Sequence, residues 1–192
     1  MIFLKRASVA KYTGACKKSG CNSNHTVLHY LCQFRPPLSV VKSIYKSHSK
    51  AIFQKDCKGR YPLHIACKHG CTPDVVNYLL EKYPQAAREC DLKQRSPLIL
   101  AYRSYVFECG LAFCFANRNL TGVGQALISA APDMVTAEDN KGQTALEYAI
   151  AEQFKYPTIE ILQLAASSYH GTARDQSKRI HQNQSTITAP IS

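Results

Sequence analysis

The chain repeats itself. Thr26-Val27-Leu28-His29, Tyr61-Pro62-Leu63-His64, Ser96-Pro97-Leu98-Ile99 and Thr144-Ala145-Leu146-Glu147 stand at equivalent places, at offsets of 35, 35 and 48. Self-similarity at such a period means a stacked array, because one unit alone cannot bury its apolar face. Asp56, Asp91 and Asp139 each precede their segment by five residues. Gly59 and Gly142 follow their Asp by three, with Gln94 and Asn24 at the same place in the other two copies. Glycine and asparagine tolerate a left-handed backbone, so a tight turn is expected there.

Each copy carries two helical stretches. Pro62 and Pro97 sit where a first helical residue needs no N–H partner. Leu63 and Ala66 then point inward, and Gly70 ends the first helix of its copy. Thr72-Pro73-Asp74 opens the second helix with a capping hydroxyl, a proline and an acid at the positive helix end. Val40, Val41 and Ile44 match Val75, Val76 and Leu79 at an offset of 35, and apolar residues at i, i+1 and i+4 form one helical face. Val123 with Leu127, then Ile159 with Leu162, continue the series. Tyr83-Pro84-Gln85-Ala86-Ala87 and Ala131-Pro132-Asp133-Met134-Val135 close the second and third copies, proline halting the helix.

The stretch Asp56-Cys57-Lys58-Gly59-Arg60-Tyr61-Pro62-Leu63-His64-Ile65-Ala66-Cys67-Lys68-His69-Gly70 resembles the ankyrin-repeat signature, and Val75-Val76-Asn77-Tyr78-Leu79-Leu80 resembles its second helix. With Tyr83-Pro84-Gln85-Ala86-Ala87-Arg88 the copy looks like the variant abundant in ankyrin-repeat proteins of diatoms. The resemblance implies an all-α solenoid of about four helix-turn-helix repeats with short hairpin-like turns. The copies fall at about 22–55, 56–90, 91–138 and 139–166. It also implies that His64 braces its turn by hydrogen bonding, and that the repeats act as a non-catalytic protein-interaction scaffold.

The 48-residue offset places 13 extra residues in copy three, between Arg103 and Leu120. This insert, near 104–117, is apolar for a loop, and three readings stay open: a lengthened helix forming an exposed lobe, a segment folded back on the solenoid edge, or retained non-coding sequence. Residues 167–192 are polar and aperiodic, and read as a disordered tail. In the last copy Glu160 and Gln163 replace Asn77 and Leu80, as a terminal layer facing water would. Tyr45 and Ile52 stay apolar at the other end, where the arm 1–21 is placed to cover them.

Charge is uneven. Residues 1–55 hold ten Lys or Arg and no acid, whereas 56–166 hold eleven basic and twelve acidic residues. The nine cysteines are an odd number. The start Met1-Ile2-Phe3-Leu4-Lys5-Arg6 puts apolar residues before the charges, the reverse of a secretory leader. Both point to free thiols in a reducing, intracellular compartment, cytoplasmic with the nucleus left open. No uncharged apolar run reaches the roughly 18 residues that a membrane span needs.

Catalytic chemistry finds little support. His64, Cys67, His69 and Cys71 are close in sequence, but the repeat accounts for them and no second pair completes four zinc ligands. Gly122-Val123-Gly124 is not a phosphate loop. The expectation is no catalytic, metal or cofactor site.

In ankyrin repeats, partner contact commonly uses the hairpin tips and the exposed face of the first helix. Carried over by position, that surface includes Lys55, Lys58, Arg60, Lys68 and His69, then Leu92, Lys93, Arg95 and Arg103, then Lys141. Copy one adds Asn22, Ser23, His25, Gln33 and Phe34, with Phe34 the best anchor in type. The expectation is a basic concave face attracting an unidentified protein with an acidic surface or peptide. Non-specific nucleic-acid binding by the arm and first copy, through Tyr12, Tyr30, Phe34 and Tyr45 among the lysines, is the rival.

Overall fold

The computed structural model describes residues 25–103, 113–152, 154 and 157–169, with side chains from 120 onward in the second of these stretches. The arm 1–21, residues 104–112 of the insert and residues 170–192 lie outside the described residues, as do Asn22, Ser23 and Asn24.

Helices come in pairs: α1 (Val27–Cys32) and α2 (Leu38–Ser47), α3 (Pro62–Lys68) and α4 (Pro73–Lys82), α5 (Pro97–Arg103) and α6 (Phe113–Ala130), α7 (Ala145–Ala151) and α8 (157–169). Among the described residues there is no strand. The short helices stack in one layer, α1 on α3, α3 on α5 and α5 on α7. The long ones form the second layer, α2 on α4 and α4 on α6. Thr121 and Thr158 share a hydrogen bond of 3.3 Å that joins α8 to α6. The core runs unbroken through the layers. Leu28, Leu63, Leu98 and Ala145 hold the inner seam, and Val41, Val76, Leu127 and Leu162 the seam between layers, all buried.

Prolines act as the sequence requires. Pro62 and Pro73 begin their helices, and Pro84 and Pro132 open one 3-10 turn each, Pro84–Ala87 and Pro132–Val135, after the long helix has stopped. Thr72 stands at the N-cap of α4, but its hydroxyl makes no capping bond; proline and Asp74 alone mark that start. Gly70 has φ +67° at the end of α3, and Arg35 takes the same left-handed conformation at the same place in copy one, φ +50°. Its Nε donates to the His69 carbonyl at 2.6 Å, a bond that ties copy one to copy two.

Two expectations are refined. α6 begins at Phe113, eight residues ahead of the place equivalent to the start of α4, so the end of the insert is helical. Helix α8 continues to residue 169, where a disordered tail was expected from 167. The Ser167 and Ser168 hydroxyls donate to the Gln163 and Leu164 carbonyls at 2.9 and 2.8 Å, as helical serines do.

Candidate functional site

The hairpin tips are built by one aspartate per copy. Asp56 N–H donates to the Arg60 carbonyl at 2.9 Å, and Gly59 N–H to the Asp56 carbonyl at 2.9 Å. Asp91 with Arg95 and Gln94, and Asp139 with Gln143 and Gly142, repeat both bonds. The third residue after each Asp is left-handed: Gly59 at φ +74°, Gln94 at +57° and Gly142 at +71°. Each Asp Oδ1 accepts two further backbone bonds, from Lys58 and Arg60, from Lys93 and Arg95, and from Lys141 and Gln143.

Oδ2 is free to take a cation. The Arg60 guanidinium grips Asp56 through Nε at 2.9 Å and a terminal nitrogen at 2.6 Å. Arg95 does the same to Asp91. In copy four Gln143 stands where the arginine would be, and the Tyr148 hydroxyl donates to Asp139 instead, at 2.8 Å. Burial alone would raise the pKa of each carboxyl. In Asp56 and Asp91 the arginine's bonds outweigh it, and in Asp139 the bonds from Lys141 N–H and Tyr148 do so; all three pKa values fall below the ordinary Asp value.

This changes the expected basic face. Arg60 is only 6% exposed and Arg95 is half-buried, so both are turn-locking residues whose charge is matched within the hairpin. Sequence reasoning placed them on the open face because it treated each charge separately. The signal was present in the Asp-x3-Arg spacing of copies two and three. Lys55 is exposed but pairs with Glu89 at 2.8 Å and lies over the Tyr61 ring. Arg103 is half-buried, 5.6 Å above the Tyr148 ring. Lys68 and His69 are half-buried on α3 and its C-cap. Phe34 is 64% exposed and rests against Tyr30, ring centres 4.9 Å apart.

Lys58, Lys93 and Lys141 remain. All three are exposed and occupy one position in successive hairpins. None forms an ion pair with a described residue. The tips are joined to each other: Leu92 N–H donates to the Lys58 carbonyl at 3.0 Å, and Asn140 N–H to the Lys93 carbonyl at 3.1 Å. The three lysines therefore ride on a continuous hydrogen-bonded ridge whose backbone is fixed.

Beneath the ridge two histidines couple the layers. Tyr61 N–H donates to His64 Nδ1 at 3.2 Å, which leaves the proton on Nε2 to reach the Glu89 carbonyl at 3.0 Å. His29 accepts from Thr26 N–H at 3.2 Å and reaches the Arg60 carbonyl at 2.8 Å. Each histidine thus braces its own helix start; His29 also grips the next copy through Arg60, and His64 holds the end of its own copy through Glu89. Desolvation by burial holds both imidazoles neutral, with pKa values lowered to about 4. In copy four Thr144 and Glu147 form the equivalent capping box with carboxylate chemistry.

A second concavity, of about 610 Å³, lies on the outer layer between α4 and α6, with Pro73, Asn77, Leu80, Gly122, Gln125 and Ala126 among its lining residues. It opens because Ala126 stands where copy two has Tyr78, whose ring packs edge-on against Tyr45 at 5.8 Å. Among the described residues no group of three or more His, Cys, Asp or Glu is placed to hold a metal ion, and no helix is long and apolar enough to cross a membrane.

Stacked two-helix layers joined by aspartate-locked hairpins define a repeat solenoid, a class built to present surface. Residues 28–114 match the family model for ankyrin repeats (3 copies), so that stretch of the chain is built of ankyrin repeats. No curated protein matches it. The match ends within the insert, yet α7 packs on α5 as the next layer, with its own aspartate hairpin ahead of it. Ankyrin repeats serve in general as scaffolds for protein–protein interaction.

Proposed function

We propose that this chain is a non-catalytic docking scaffold, and that its hairpin ridge, crested by Lys58, Lys93 and Lys141, binds an acidic surface on a partner protein. One observation carries the reading. Arg60, Arg95 and Lys55 are matched by acids of the chain itself, while these three lysines, at one repeat position, form no ion pair with a described residue. Unmatched charge of one sign, held in register by backbone hydrogen bonds, raises the encounter rate with the opposite sign and selects among partners. Lys68 and His69 flank the ridge on the helix side. Cys32, Cys57, Cys67, Cys71 and Cys90 are free thiols, which suits a reducing intracellular compartment.

The test is affinity capture from nuclease-treated lysate, comparing the wild type with Lys58→Glu/Lys93→Glu. The double variant is expected to keep its fold and lose the specific partners, whose shared feature is an acidic segment. Capture of the same partners by both proteins would overturn the ridge. Loss of all capture on nuclease treatment would assign the basic surface to nucleic acid instead.

A further inference from the structure

Leu92 is 74% exposed, more than any other described large apolar side chain. It is not loosely held. Its N–H is bound to the Lys58 carbonyl at 3.0 Å, and its side chain lies against Gly59, where an added Cβ would stand 3.4 Å from Leu92 Cγ. The absent side chain at Gly59 gives the leucine a flat floor. Lys58 is the residue whose carbonyl it binds, and Lys93 is next in sequence. A backbone-fixed aliphatic side chain is thereby set beside two exposed lysines, Lys58 and Lys93, that form no ion pair with a described residue.

We infer that the ridge selects an extended acidic segment of the form acid-x-aliphatic-x-acid, its aliphatic side chain packing on Leu92 and its flanking carboxylates meeting Lys58 and Lys93. The inference rests on the docking reading above and narrows it. In an extended chain, residues i, i+2 and i+4 share one face, at a rise of about 3.3 Å per residue. That pattern is the simplest that offers acid, apolar group and acid together. A single exposed leucine is too small to dock a partner by burial alone, so the carboxylates must supply the rest. The fourth hairpin fits less well, because Asn140 replaces the leucine and the acidic Glu138 is exposed beside Gly142. The recognition unit is therefore the second and third hairpins, with Lys141 at its edge.

Fluorescein-labelled synthetic dodecapeptides on a serine background test this by anisotropy near physiological salt. One carries Glu-Ser-Leu-Ser-Glu, a second replaces the Leu by Ser, and a third has the same composition with the Leu moved one place, onto the opposite face. The first is expected to bind at least tenfold more tightly than the others. Leu92→Ser should abolish that preference without altering the thermal melt, and Lys58→Gln/Lys93→Gln should abolish binding of all three. Equal affinity for the three peptides, no binding of the first, or a preference that survives Leu92→Ser would overturn the inference. Partner capture through the lysines would still stand or fall by its own experiment.

Discussion

Tyr102 and Gly124 share one space in the core. Copy two fills the equivalent pair of positions with Cys67 and Val76, a small residue facing a larger one, and copy three inverts the sizes. The Tyr102 ring is fully buried and its hydroxyl has no hydrogen-bond partner among the described residues. A Cβ on Gly124 would overlap that hydroxyl and approach Cζ to 3.3 Å. Gly124→Ala is therefore expected to cost about 1–3 kcal/mol by overpacking, despite alanine's better helix propensity. In a Tyr102→Phe background that cost should shrink, because the overlapping atom is gone. Urea denaturation of the four proteins of this cycle measures the coupling; simple additivity would contradict the shared space.

Tyr102→Phe by itself removes a buried hydroxyl that makes no hydrogen bond to a described residue. The expected result is a gain of about 1 kcal/mol, since an unsatisfied buried hydroxyl costs about that or more. A loss of stability in thermal melts would mean that the hydroxyl has a partner.

Leu79 is 1% exposed between the layers. Leu79→Ala is expected to cost about 2–5 kcal/mol, as buried leucine truncations do. A cost below half of the lower bound in urea denaturation would mean that α4 is not stacked as described.

Asp56→Ala should cost about 3–5 kcal/mol, because it strands the buried Arg60 charge and frees two turn N–H groups. Lys58→Ala, two residues away and exposed, should stay within about 0.5 kcal/mol of the wild type. Similar costs for the two would contradict the division between turn-locking and free cations. For the same reason Arg95→Glu is a poor probe of binding: it sets a second carboxylate against Asp91.

Acid should loosen the stack in two stages. His29 and His64 have pKa values lowered from 6.5 to about 4. Between those limits the unfolded chain binds protons that the folded chain refuses, so stability rises with pH there. It is fully present above about pH 6.5 and falls as pH drops toward about 4, by roughly 3 kcal/mol per histidine. Asp56, Asp91 and Asp139 have lowered pKa values; their contribution is present above the unfolded Asp value and is lost below it, as pH falls through their folded values. Urea midpoints measured between pH 8 and pH 4 should decline chiefly below 6.5. A flat profile across that window would contradict buried neutral histidines.

Much of the architecture was legible because the repeat writes its turns in residue type. Gly59 and Gly142 marked left-handed positions that the structure shows, Gln94 takes the same conformation at their place in copy three, and His64 braces its turn as the family resemblance implied. Charge was read less well. Asp56 and Arg60 lie on opposite sides of a turn that brings them into contact, and a tally of exposed positions has no means of cancelling them. The Tyr102–Gly124 exchange was hidden for a different reason. The two residues are brought together only when α5 meets α6, across an insert that breaks the period.

The most direct measurement is an amide chemical-shift map of the ¹⁵N-labelled full chain titrated with the Glu-Ser-Leu-Ser-Glu peptide. The account predicts shifts concentrated at Cys57–Gly59 and Leu92–Gln94, fading toward Lys141. Shifts confined to α4 and α6 around the outer groove, to the arm 1–21, or to no residue at all would contradict it.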